Sequence, residues 1–276
     1  MQQGWNDTAP QHSLRNFLVH RSLIGQMAVR EIIGRYKGSV LGLTWSIVHP
    51  ILMLSVYTFV FSVVMRARWN APAADDSRTQ FALLLFAGMI VHSFFSEVVN
   101  RTPGLIVGNV NFVKKVVFPL EILPVITSVV ALFHAMVSLA VLLLAYALFN
   151  HHLHWTALLA PLVLFPLLLV NLGVGWMLAS LGVYSRDIGQ IVGLVTTVLL
   201  FLSPVFYPVS SLPAAVQPWM VINPLTFIIE QMRAVLIWGH APDWPGLAVY
   251  AILSALFAWA GYLWFQKTRK GFADVI

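Results

Sequence analysis

Enzymatic chemistry needs a nucleophile beside a base, a set of metal ligands or a loop that grips phosphate. This chain shows none of these at a recognisable spacing. The only lysine followed by serine or threonine is Lys267-Thr268, and Gln266 stands where a phosphate-binding loop requires glycine. The chain is therefore expected not to hydrolyse ATP by itself. Neither a Gly-x-Ser-x-Gly elbow nor a His-Glu-x-x-His helix occurs. His151, His152 and His154 cluster in a short turn with no carboxylate nearby and read as surface histidines rather than metal ligands. Ion-coupled transporters carry ionisable groups in mid-membrane. Here Glu97, Glu121, Asp187 and Glu230 fall at the ends of apolar stretches or in a broken one. His49, His92 and His134 lie deeper and read as hydrogen-bonded packing groups rather than proton relays. Energy must come from a partner subunit, or the pore is passive.

The aromatics carry more information. Trp45, Tyr57, Phe59, Phe61, Phe94, Phe95, Phe201, Phe206 and Tyr207 populate the first, second and fifth apolar stretches. More than half must serve core packing or lipid-facing belts. The functional alternative is a set of ring faces on which sugar rings stack as they pass, since stacking tolerates sequence variation and suits a polymer moving in steps.

The elements that would position these residues follow from composition. The 276 residues are 59% hydrophobic and 9% charged, with mean hydropathy +0.82. Soluble domains run near 25% charged, so most of this surface must face lipid. A crossing needs about 20 apolar residues. Six stretches qualify, 38–65, 81–99, 122–149, 155–184, 188–209 and 245–265. They predict an all-α polytopic membrane protein with six spans, one domain over 1–276 and no room for a separate soluble domain. Without cysteine, neither disulfides nor thiolate-bound metal can hold the fold. The polar start, Met1 to Gln11, shows no cleavable signal peptide, so the first span is expected to act as an uncleaved anchor.

Of the 16 lysines and arginines, only Arg66, Arg68, Arg78 and Arg233 fall on the outer side if both termini are inside. Positive charge stays cytoplasmic, which sets that orientation. Segment 13–35 reads as a helix in the interface plane, with Leu14, Phe17, Leu18, Ile24, Ala28 and Ile32 on its apolar face. Segment 210–240 is apolar but broken by Pro213, Pro218 and Pro224, and it carries Glu230 and Arg233. Short helices that dip into the membrane and return fit this pattern better than one crossing. Gly34, Gly38 and Gly42, Gly104 with Gly108, and Gly189 with Gly193 have the four-residue spacing of close helix contacts.

Four blocks in order give the chain a family resemblance. They are Arg35-Tyr36-Lys37-Gly38-Ser39-Val40-Leu41-Gly42-Leu43-Thr44-Trp45; Asn111-Phe112-Val113-Lys114-Lys115-Val116-Val117-Phe118-Pro119 with Glu121-Ile122-Leu123-Pro124; Arg186-Asp187-Ile188; and Ser203-Pro204-Val205-Phe206-Tyr207-Pro208 with Asn223-Pro224-Leu225-Thr226. Over nearly its whole length the chain resembles the membrane subunit of ABC-2 type exporters of O-antigen, capsule and teichoic acid. Leu120 departs from the basic residue that members often carry before the glutamate of the second block.

The resemblance implies a homodimer, two copies of a separate nucleotide-binding ATPase that hold the ATP and magnesium, and a glycan on a polyprenyl pyrophosphate lipid. It places the protein in the bacterial inner membrane. On that reading loop 102–119 is the coupling surface, with Gly104, Gly108, Asn109, Asn111, Lys114 and Lys115 meeting the ATPase. Arg35 and Lys37 stand at the headgroup level where a pyrophosphate would arrive, with ordinary charge anchoring as their bland alternative. Trp45, Tyr57, Phe61, Phe201, Phe206 and Tyr207 become candidates for the glycan path. A membrane-embedded glycan-processing enzyme would need convergent acids or a nucleophile with a base, which the residues do not offer. An ABC-2 permease for a small drug or lipid is the closer alternative.

Overall fold

The computed structural model describes residues 17–65, 78–114 and 118–276, and among these it is helical with no strand. We label its helices α1 (Arg21–Arg35), α2 (Trp45–Tyr57), α3 (Arg78–Arg101), α4 (Val110–Lys114), α5 (Ile122–Asn150), α6 (Ala160–Tyr184), α7 (Ile188–Leu202), α8 (Pro224–Leu236), α9 (Trp244–Thr268) and α10 (Phe272–Val275).

Glycines separate α1 from the first membrane segment. Gly38 and Gly42 adopt φ of +88° and +51°, a backbone region that other residues resist. The first crossing therefore begins at Gly42, not at residue 38. Pro50 sits inside α2 and leaves the Ser46 carbonyl without its helical donor. Thr58 Oγ1 donates back to the Leu54 carbonyl at 2.8 Å, and from Thr58 to Val64 the helix widens to π winding.

The core is built around α3. Leu84, Leu85, Ala87, Val91 and Val98 are fully enclosed, and 78% of the apolar stretch is buried, against 17% for the first crossing. α6 and α9 run parallel, since Gly173 faces Gly261 and Ser180 Oγ donates to Thr268 Oγ1 seven residues further along both helices. An added Cβ on Gly173 would sit 2.7 Å from the Phe257 ring, and one on Gly182 would strike the Pro103 backbone. The spaced glycines singled out from sequence have nothing within 4 Å at Gly34, Gly38, Gly42, Gly104, Gly108, Gly189 and Gly193. The close helix contacts thus belong to other glycines.

Among the described residues, five segments are long and apolar enough to cross a membrane: Gly42–Phe61, Gln80–Gly104, Ile122–Asn150, Trp155–Tyr184 and Trp244–Val275. The expected fifth span, 188–209, is shorter. α7 has 15 residues and stops at Leu202, ahead of Pro204 and Pro208. At 1.5 Å per residue it covers only about 22 Å. Its contacts still carry the chain along α3: Thr196 meets His92 and Asn100, and Val205 reaches Gly88, further from the Glu97 end. Segment 203–240 then stays at that end as turns, 3-10 helices and α8. We call the two ends of the bundle the Glu97 end and the Arg233 end.

α1 lies against the bundle at the Glu97 end. Ala28 is buried and Phe17 stacks on Trp176 at 5.9 Å, but Leu18 is exposed, so the expected apolar face is only partly used. Glu31 pairs with Arg101, which fixes α1 to the last turn of α3. Leu14, Arg66, Arg68 and Lys115 lie outside the described residues.

Candidate functional site

A cavity of about 600 Å³ lies between α2, α3 and α5, with the end of α1 at its mouth. Its polar wall is a set of ionisable groups far apart in sequence. Arg35 donates through Nη2 to Glu97 Oε1 at 2.5 Å, and its Nη1 lies 3.0 Å from His134 Nδ1. His134 Nδ1 also lies 3.1 Å from Glu97 Oε1, and the Tyr36 hydroxyl is 3.3 Å from His134 Nε2. Arg101, one turn beyond Glu97, stands 3.6 Å from the same carboxylate oxygen. Deeper in the cavity Met53, Tyr57, Phe86, Met89 and Ile90 form an apolar wall. The cavity is therefore polar at the Glu97 end and apolar towards the middle of α3.

The local sequence explains the network. Glu97 is the only acid in α3, and a carboxylate on a buried helix must find a cation. Arg101 at i+4 supplies one from the same helix, and α1 delivers Arg35 as the second. His134 was expected to be a packing group, and it does pack, but against charges. The spacing of Glu97 and Arg101 was the signal in the sequence that a charged site existed. That Arg35 and His134 complete it depends on three helices meeting.

Arg35 is thus engaged by protein groups, with its side chain 34% exposed. Lys37 is exposed and lines a separate shallow groove on α1 with Gln26, Arg30 and Ile33. The pair expected to share one phosphate faces two different surfaces.

The aromatic candidates also divide. Trp45 and Tyr57 line the cavity. Phe61, Phe206 and Phe201 form a stack at the Arg233 end, with centroid separations of 6.0 Å and 5.8 Å. The Tyr207 hydroxyl donates to the Phe201 carbonyl at 3.0 Å. Phe94 and Phe95 are buried in the core.

A second guanidinium, which the sequence presented only as an outer charge, organises the Arg233 end. Arg233 is wholly buried. Its Nε donates to the Leu84 carbonyl at 3.1 Å, its Nη2 to the Val205 carbonyl at 2.9 Å and its Nη1 to Glu230 at 2.9 Å. It ties α8 to α3 and to the turn after α7. Gly88 makes room for it, since a Cβ there would lie 3.1 Å from Nη2.

In the loop after α3, Thr102 and Pro103 are buried against α6, while Gly104, Gly108, Asn111 and Lys114 are exposed. Asn109 is half-buried and donates to the Leu105 carbonyl at 2.8 Å. The five-residue α4 ends this surface, and Arg269 holds the far side of the loop through Glu121 at 2.8 Å.

The family description "ABC-2 type transporter" matches residues 22–237. The chain belongs to that family. The match to this ABC-2 membrane protein takes in α1, the cavity, the loop after α3 and most of the Arg233 end. An O-antigen export system permease protein of Myxococcus xanthus is 29% identical over 265 residues, covering 95% of this chain and 98% of that one. A polysialic acid transport protein of Escherichia coli is 23% identical, covering 92% and 96%. A capsule polysaccharide export inner-membrane protein of Neisseria meningitidis is 26% identical, covering 78% and 79%.

Proposed function

We propose that this ABC-2 permease exports a lipid-linked polysaccharide, O-antigen in the first instance, across a bacterial inner membrane. The observation that carries the reading is the end-to-end similarity to the O-antigen export permease of Myxococcus xanthus, which leaves no region of that protein unmatched by more than a few residues. The relatives named for capsule and polysialic acid transport are less identical, so capsule export is the second reading.

A homodimer with two copies of a separate ATPase would do the work. Two features support this. The first crossing is only 17% buried within one copy, which leaves a helix face for a second. The exposed row Gly104, Gly108, Asn111 and Lys114 stands on a loop locked to α6, α9 and α1, so a push on it would reach three helices. The lysine and arginine distribution supports an orientation with the Glu97 end towards the cytoplasm.

Deletion of the gene tests the function. Surface polysaccharide should vanish while its lipid-linked precursor accumulates inside, and expression of the permease should restore export. Normal surface polysaccharide in the deletion strain would sink the reading. Cysteines at Gly108 or Asn111 should crosslink to the ATPase, and crosslinks confined to 267–276 would displace the coupling surface.

A further inference from the structure

The cavity has a chemistry that the export reading does not use. Its charges are balanced: Arg35 faces Glu97, and Arg101, the next cation, is itself paired with Glu31. A pyrophosphate entering here would meet the Glu97 carboxylate 2.5 Å from the guanidinium that should attract it. A dianion is a poor fit for such a site. A ligand carrying both signs is a good one. Of five guanidinium N–H groups, Arg35 commits one to Glu97 and points another at His134 Nδ1, and the rest can grip an oxyanion. Glu97 Oε2 faces only His134 Nδ1, at 3.2 Å, a nitrogen it shares with Oε1 and Arg35 Nη1, and can accept from an ammonium.

The shape selects the rest of the molecule. From Glu97 to Phe86 is eleven residues of α3, about 16 Å of depth. Ser93 and Ser138 lie one turn beyond Glu97 and His134, and below them the wall is apolar. α5 has 29 residues, about 43 Å, and exceeds a hydrocarbon core of about 30 Å. About 20 residues counted back from Asn150 put the membrane boundary near residue 130, one turn before His134. On that count the ionised groups lie about one helical turn inside the boundary, within reach of a lipid headgroup, and the apolar wall lies deeper, at acyl-chain depth. A volume of about 600 Å³ is that of a small-ligand site and too small for a sugar polymer to pass.

We propose that this cavity is a binding site for a zwitterionic phospholipid with a primary ammonium, of the phosphatidylethanolamine type, taken from the leaflet that the Glu97 end faces. Arg35 holds the phosphate, Glu97 receives the ammonium, and one acyl chain follows Met53, Met89 and Ile90. The site joins α1, the first crossing, α3 and α5, so the lipid would fix the angle between α1 and the bundle. The proposal stands whatever the transported cargo is.

The test uses the full-length permease in lipid nanodiscs and the fluorescence of Trp45, which lines the cavity. Ten tryptophans are present, so the signal is the difference between wild type and Trp45→Phe. Lipids with brominated chains quench a tryptophan on contact. Brominated phosphatidylethanolamine should saturate the difference signal at a mole fraction about tenfold below that needed by phosphatidylcholine, which has no ammonium N–H, or by anionic phosphatidylglycerol. Glu97→Gln should shift the phosphatidylethanolamine curve to about tenfold higher mole fraction, while Asp274→Asn, exposed and outside the cavity, should leave it in place. Equal saturation by phosphatidylcholine would overturn headgroup recognition. Tightest saturation by phosphatidylglycerol would make the mouth a plain anion site and overturn the proposal too. A signal linear in mole fraction for every lipid would show bulk contact and no site. The wild-type comparison of the three lipids decides these outcomes even if the Glu97 variant fails to fold.

Discussion

Two arginines at opposite ends of α3 show two ways for a membrane bundle to keep a charge. Arg233 is fully enclosed and held by backbone carbonyls of Leu84 and Val205 as well as by Glu230. Those carbonyls are fixed by the helix and turn that carry them, so the guanidinium has one place to be. Arg35 is a third exposed and meets Glu97 and His134, side chains that can exchange partners among Arg35, Arg101 and Tyr36. The difference is rigidity. The Arg233 end is joined by one irreplaceable residue, and the Glu97 end by a redundant network that tolerates rearrangement as ligands come and go.

The same substitution at both places exposes this contrast. Arg233→Gln should lose at least two charge-assisted bonds, at about 1.5–3 kcal/mol each, and strand carbonyls in a dry site. Most of the protein should fail to reach the membrane, or should melt far below wild type in detergent. Arg35→Gln removes one member of a half-exposed network in which Arg101 and His134 still face Glu97, and such pairs contribute about 0–1 kcal/mol. Abundance and Tm should stay close to wild type. Equal losses at both positions would erase the distinction between a rigid and a redundant end.

Gly88→Ala tests the same joint without touching a charge. Its Cβ would lie 3.1 Å from Arg233 Nη2 and 3.3 Å from Val205 Cα, tighter than ordinary packing. Overpacking of this kind costs about 1–3 kcal/mol, less than losing the arginine. Gly189→Ala, with nothing within 4 Å, is the matched control. A Tm that falls in the control as far as in Gly88→Ala would mean that the clash is relieved by a shift the contacts do not suggest.

Much of this architecture was legible because lipid leaves so little choice. Apolar stretches of about 20 residues can only be helices, and five of the six expected spans are long and apolar enough. The fifth came out too long because hydropathy does not register that Pro204 and Pro208 end a helix inside an apolar run. The joints were much less legible. Arg233 bonds to a carbonyl 149 residues away, and Arg35 to a histidine 99 residues away. No local pattern encodes such pairings. Positional spacing misled at the glycines for the same reason, since Gly173 and Gly261 matter through a contact between helices. The aromatic candidates were found as residues, but whether a ring faces a cavity or another ring is again decided by packing.

The smallest expected effect concerns the aromatic stack that closes the Arg233 end. Phe61 contacts two rings, Phe206 at 6.0 Å and Phe81 at 5.6 Å. Phe201 stacks on Phe206 at 5.8 Å and is 63% exposed, which leaves one face open. Aromatic pairs add about 0.5–1.5 kcal/mol beyond the area they bury. Phe61→Ala should therefore lower Tm measurably, and Phe201→Ala should lower it less. If the open face of Phe201 meets the glycan, Phe201→Ala slows export at matched membrane abundance even though stability barely moves. Phe61→Ala should then affect export only as far as it affects the amount of folded protein. Matched export in both variants at matched abundance would mean that the open ring faces lipid or a second copy of the chain. The stack would then be part of the rigid end, a packing joint like Arg233 rather than a surface for cargo.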